Sequence, residues 1–120
     1  MSSEMRSITA KYIFDGVNLL TNKTVLIADN QIVDVIDSDK LYDKSQLEDF
    51  GNSVISPGML DLQLNGCGGV LFNADISMET LEIMHQTNLK FGTTGFLPTL
   101  ITADFNDSIT ALEVVKEWFK

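Results

Sequence analysis

Apolar and polar positions divide the chain into two stretches of different character. From Ile8 to Phe14 the residues alternate and are rich in β-branched and aromatic types, and Asp15-Gly16 follows as a turn, so this segment predicts a strand. Thr24 to Ala28 and Gln31 to Ile36 are two further short apolar runs. The two residues between them, Asp29-Asn30, tolerate positive φ, which predicts a tight hairpin. Val25 and Ile27 fall on one face of the first run and Leu26 and Ala28 on the other, so these strands need cover on both sides, as in a sandwich. Residues 37 to 52 are polar and without a strong period, and read as a surface connection.

The pattern changes after Ser53. Val54-Ile55-Ser56 leads through Pro57-Gly58 into Met59-Leu60-Asp61-Leu62-Gln63-Leu64-Asn65 and then Gly66-Cys67-Gly68-Gly69. A helix is predicted over residues 78 to 91, with Ser77 as N-cap, Glu79 and Glu82 in its first turns and Gly92 just past its end. Met78, Leu81 and Met84 would be its core face. Thr93 to Thr99 predicts a strand, and a second helix follows, capped by Asp104 or Asp107. Its apolar face is expected at Ile109, Leu112, Val115 and Phe119. Strand, helix, strand, helix is the opening of a parallel α/β arrangement with right-handed crossovers. Two such units can neither close nor cover a sheet, so the chain reads as the leading part of a larger fold. The expected domains are residues 1–53 and 54–120.

Composition changes this picture little. The 120 residues are 44% hydrophobic and 21% charged, an ordinary globular balance. Seventeen Asp and Glu against eight Lys and Arg give a net charge of -9, which disfavours binding to nucleic acid or to an anionic membrane surface. No stretch approaches the ~18 apolar residues of a bilayer span. The run from Met1 to Arg6 leads into the first alternating segment rather than into an apolar signal core. A single cysteine, Cys67, excludes an internal disulfide framework and suits a cytoplasmic address. A single histidine, His85, excludes a His-rich metal cage.

The segment from Leu60 to Asn65 carries the most chemistry. Alternation puts Leu60, Leu62 and Leu64 on one strand face, expected to be buried against helices, and Asp61, Gln63 and Asn65 on the other. On a central strand of an α/β barrel such a polar row faces inward, and near the strand's C-terminal end it reaches the mouth where these folds build active sites. A half-exposed strand with an ordinary wet face gives the same pattern. The glycine-rich run after it is either a tight turn needing positive φ or an anion-binding nest of backbone N–H groups. It is not a GxGxxG motif. A Cys67–His85 nucleophile and base pair is disfavoured against a small residue filling a turn and a partly packed helix residue.

These residues resemble a known family. Ser56-Pro57-Gly58-Met59-Leu60-Asp61 is similar to the Pro-Gly-hydrophobic-hydrophobic-Asp that opens the first barrel strand of the amidohydrolase superfamily. In most of that superfamily the Asp is followed by His-x-His, two metal ligands, and here those positions are Gln63 and Asn65. The run from Asp61 to Gly69, with Leu81-Glu82-Ile83-Met84 and the run from Thr93 to Thr102, resembles the N-acetylglucosamine-6-phosphate deacetylases of the bacterial type lacking that His pair. The resemblance implies N-terminal strands of a small β-sandwich, then the first two βα units of a TIM-like barrel, truncated. It implies removal of the N-acetyl group from N-acetylglucosamine 6-phosphate, giving glucosamine 6-phosphate and acetate. A divalent metal, zinc by preference, would polarise the amide carbonyl and activate water while a carboxylate moves the proton.

In the family the metal ligands and the acid/base carboxylate come later in the chain, so no catalytic residue and no metal ligand is assigned here. Gln63 and Asn65 are expected to line the metal-side pocket without acting as strong ligands, because neutral amides bind transition metals poorly compared with imidazole. The resemblance also implies an amino-sugar phosphate partner and a homo-oligomer for the complete enzyme, with no tight metal binding and no activity by this chain alone. The competing readings are an amidohydrolase with another substrate, and a stand-alone anion-binding module built on the glycine-rich loop.

Overall fold

A computed structural model describes residues 5–120. The start of the N-terminal run, Met1 to Glu4, lies outside the described residues. The described residues have mixed α/β structure in two compact units that divide between Pro57 and Gly58.

Among the described residues the first unit holds seven strands: β1 (Met5–Thr9), β2 (Tyr12–Phe14), β3 (Leu19–Leu20), β4 (Lys23–Ala28), β5 (Gln31–Asp37), β6 (Leu47–Asp49) and β7 (Val54–Ile55). They form one sheet in the order β5-β4-β1-β6 and another in the order β3-β2-β7. The hairpin between β4 and β5 forms as the sequence predicts, with Asp29 at φ 51° and Asn30 at φ 61°, both in the left-handed region that a two-residue turn of this twist requires. After β2, the Asp15 carboxylate accepts the Val17 and Asn18 N–H groups at 2.8 and 2.7 Å, and these bonds hold its pKa below the ordinary carboxylate value.

Three expectations change here. The run from Ile8 to Phe14 is two strands, because the chain leaves the first sheet at Ala10 and enters the second, with the Lys11 and Tyr12 N–H groups donating to the carbonyls of Gly51 and Ser53. Residues 37 to 52 are not wholly irregular. Ser38–Lys40 makes a 3-10 turn, and β6 pairs in parallel with β1. The first unit also runs past residue 53 to Pro57, because Val54 and Ile55 pair in parallel with Tyr12 and Ile13.

Side chains from both sheets, among them Ile8, Ile13, Val25, Ile27, Val35 and Ile55, line an open apolar groove of about 310 Å³. Thr24 on β4, 0% exposed, is tolerated because its hydroxyl bonds that of Ser38 at 2.9 Å.

The second unit contains β8 (Met59–Leu64), α1 (Met78–Leu89), β9 (Thr93–Pro98) and α2 (Phe105–Trp118). Among the described residues β8 and β9 form a two-stranded parallel sheet. Ser77 caps α1 by accepting the Thr80 N–H at 3.2 Å, and Gly92, at φ 83°, turns the chain after it. Asp104 rather than Asp107 caps α2, accepting the Asp107 N–H at 2.8 Å.

Phe72, Leu81, Met84, Phe96 and Ala111 form the core of this unit, with Leu64, Cys67, Val114, Val115 and Trp118 packed against it. Leu81 and Met84 are buried as predicted, whereas Met78, at the first turn of α1, is exposed. The buried stripe of α2 is Ala111, Val114, Val115 and Trp118, spaced i, i+3, i+4, i+7. Of the expected face only Val115 lies on it; Ile109, Leu112 and Phe119 are exposed. Sequence periodicity identified an amphipathic helix but placed its packed stripe one residue off.

Candidate functional site

Gln63 and Asn65, the expected pocket residues, lie at and just beyond the C-terminal end of β8. The leucines of that strand do not behave as expected: Leu60 is 71% and Leu62 73% exposed, and only Leu64 packs on the core. The cause is that α1 packs chiefly on β9 and leaves β8 uncovered. Leu60 and Leu62 instead line an open groove of about 240 Å³ with Gly95, Phe96, Leu97 and Phe119.

Gln63 is exposed, and its backbone N–H is held by the Asp61 carboxylate at 3.0 Å. Asn65 is half-buried, and its Nδ2 donates to the Thr99 carbonyl at 3.3 Å, joining the end of β8 to the end of β9. The structure therefore ties Asn65 into the framework and leaves the Gln63 side chain open.

The glycine-rich loop is shaped by packing. A Cβ on Gly66 would sit 2.2 Å from the Val70 carbonyl oxygen and 2.8 Å from the Leu71 Cα. Gly68 has φ 68°, and a Cβ there would meet Thr87 Oγ1 at 2.3 Å on α1. These two positions are filled by glycine because the loop folds on itself and against the helix, which favours the tight-turn reading over the nest.

Cys67 donates its thiol to the Met84 carbonyl at 3.4 Å. Burial, with the negative charge of Asp61 second, pushes its pKa up, the opposite of what an activated thiolate needs. His85 lies tilted by 33° to Phe96 and edge-on to Trp118, with ring centroids 6.5 and 5.9 Å away, as a partly packed helix residue. The Cys67 thiol is bonded to the Met84 carbonyl instead of to the imidazole.

Among the described residues, no three His, Cys, Asp or Glu side chains gather closely enough to hold a metal ion. Gln63 and Asn65 supply only neutral amides, one of them already bonded to backbone. The residues present do not fit a metal centre by themselves.

Sequence reasoning passed over Asn73. Its Oδ1 accepts the Ile101 N–H at 2.8 Å and its Nδ2 donates to the Ile101 carbonyl at 3.0 Å. A lone asparagine in a loop carries no periodic signal, so only its contacts reveal it.

Over 106 residues, 88% of its length, the chain is 42% identical to an N-acetylglucosamine-6-phosphate deacetylase of Haemophilus influenzae. It superposes on the crystal structure of the same enzyme from Pasteurella multocida with a TM-score of 0.91 over 97% of its length, at 37% identity. The chain resembles the N-acetylglucosamine-6-phosphate deacetylases. It spans 28% of the Haemophilus deacetylase and 31% of the Pasteurella one. A Shewanella N-acetylgalactosamine-6-phosphate deacetylase is 45% identical over 60 residues, covering 50% of this chain and 15% of that protein. A Mycobacterium smegmatis deacetylase, solved with N-acetyl-D-glucosamine-6-phosphate, shares the fold with a TM-score of 0.82 at 22% identity, over 94% of this chain and 29% of that one. No family model matches the chain. Among the described residues no helix is long and apolar enough to cross a membrane.

Proposed function

We propose that this chain is the N-terminal portion of a metal-dependent deacetylase that hydrolyses the N-acetyl group of N-acetylglucosamine 6-phosphate. The observation that carries the reading is the 42% identity over 106 residues to a deacetylase of that substrate. The local supports are Gln63 and Asn65 where related hydrolases carry a His pair, and the packed loop from Gly66 to Gly69 directly after them. On this reading the first unit contributes strands to a small β-sandwich, and the second opens a TIM-like barrel. Further barrel strands would pair with β8 and β9, and further helices would cover Leu60 and Leu62. The complete enzyme is cytoplasmic and homo-oligomeric.

The metal, zinc by preference, is held by residues outside these 120. Within them, Gln63 presents an exposed amide at the strand end, able to orient a sugar hydroxyl or the acetamido group, and Asn65 holds the two strand ends together. The chain alone is inactive and binds zinc weakly. The stand-alone anion-binding module is not favoured, because packing already accounts for the glycines at 66 and 68.

The test is a chimaera in which this chain replaces the matching segment of the Haemophilus deacetylase. Zinc-dependent release of acetate from N-acetylglucosamine 6-phosphate, faster than from N-acetylgalactosamine 6-phosphate, is expected. A folded chimaera that releases none would overturn the reading, and a preference for the galactosamine compound would overturn the substrate.

A further inference from the structure

Several bonds tie together the ends of the two parallel strands and the loop that follows β8. The Thr99 N–H donates to the Leu64 carbonyl at 2.9 Å, the Phe72 N–H to the Asn65 carbonyl at 2.9 Å, and Asn65 Nδ2 to the Thr99 carbonyl. Beyond Thr99 the chain leaves β9 and runs to the Asp104 cap. Across that run Asn73 satisfies both backbone groups of Ile101 with one side-chain amide, as a neighbouring strand would. The amide is well placed to do so, because it follows Phe72, which is 1% exposed in the core.

The geometry points to Asn73 as a positioning residue. Its amide latches the segment 99–102 onto the loop that follows β8, and so fixes the rim beside Gln63 and Asn65. Asparagine suits the task because it offers a donor and an acceptor on one rigid plane, whereas aspartate offers only acceptors until it is protonated. The consequence for turnover rests on the deacetylase reading; the latch itself does not.

The test has two arms. In the 120-residue chain, amide hydrogen exchange at Ile101 is compared with wild type at the same pH for Asn73→Ala and Asn73→Asp. Asn73→Ala should exchange about tenfold faster at Ile101, with Leu81 and Met84 unchanged. Asn73→Asp should keep part of the protection at neutral pH, because its carboxylate still accepts the Ile101 N–H while its second oxygen faces the Ile101 carbonyl, and should regain the rest below pH ~4, when the carboxyl recovers a donor. An Ile101 amide that is unprotected in wild type, or equally protected in all three, overturns the latch, as does an aspartate variant without low-pH recovery.

In the chimaera, Asn73→Ala should lower kcat/KM about tenfold at an unchanged melting temperature, with Asn73→Asp recovering part of the loss. Lost Ile101 protection with unchanged kcat/KM would overturn the positioning role. A folded but inactive unsubstituted chimaera would instead overturn the deacetylase reading, and the exchange arm would still decide the latch.

Discussion

Three glycine-to-alanine substitutions in the loop after β8 should differ in cost, with Gly69 the mildest. At Gly69, φ is 86° and an added Cβ meets nothing within 4 Å, so only the left-handed backbone is penalised, by about 1–2 kcal/mol. At Gly68, φ is 68° and the Cβ also runs into Thr87 Oγ1 at 2.3 Å and Ile83 Cγ2 at 3.1 Å. Overpacking against α1 adds roughly 1–3 kcal/mol, although the Thr87 side chain can rotate to relieve part of it. Gly66 has no positive φ, but its Cβ would lie 2.2 Å from the Val70 oxygen and 2.8 Å from the Leu71 Cα. Backbone atoms cannot rotate aside, so the loop must open and strain the bond from the Phe72 N–H to the Asn65 carbonyl. That change should cost about 3 kcal/mol or more. Urea unfolding followed by fluorescence of Trp118, the only tryptophan of the chain and part of the packed second unit, reads all three. Equal costs at the three positions, or Gly69→Ala as the worst, would refute the argument that packing selects these glycines.

The remaining predictions concern the core, the thiol and one surface ion cluster. Leu81→Ala should destabilise the chain by about 2–5 kcal/mol, whereas Leu60→Ser with Leu62→Ser should cost under ~1 kcal/mol, because both leucines are exposed here; comparable urea midpoints would contradict the observed burial. Cys67 should react with iodoacetamide at pH 8 at least about tenfold more slowly than free cysteine, since burial raises its pKa and its thiol is bonded to the Met84 carbonyl; equal rates would show an accessible thiol. Asp37 is held down to about 2 by the hydrogen bond from Lys23 first and from Lys40 second. A depressed carboxyl stabilises the fold above its unfolded value of 3.8 and loses that contribution as pH falls towards 2. Lys23→Met should therefore flatten the stability profile over that interval, and a profile unchanged from wild type would mean the pair contributes nothing.

Local chemistry in the sequence was enough for the elements whose cause is local. The β4–β5 hairpin follows from Asp29-Asn30, two residues that accept positive φ between apolar runs, and α1 follows from the Ser77 cap, the apolar spacing and Gly92. The order strand, helix, strand, helix was legible for the same reason, as were the positions of Gln63 and Asn65 at the end of a strand. What depends on partners distant in the chain was not legible. The break of the first alternating run at Ala10 exists because Val54 and Ile55, some forty residues on, pair with β2. Leu60 and Leu62 alternate as buried leucines would, but alternation reports which face a side chain takes and not whether anything covers it. The packed stripe of α2 was misplaced because several faces of that helix are apolar, and only the position of Phe72 and Phe96 selects among them. Asn73 and Ile101, twenty-eight residues apart, carry no shared sequence signal; a two-pronged amide contact exists only once two loops have been brought together by the strands they follow. Propensity and periodicity act over a few residues, whereas cover, register between sheets and side-chain latches are set by which surfaces meet, and that is decided by the tertiary fold.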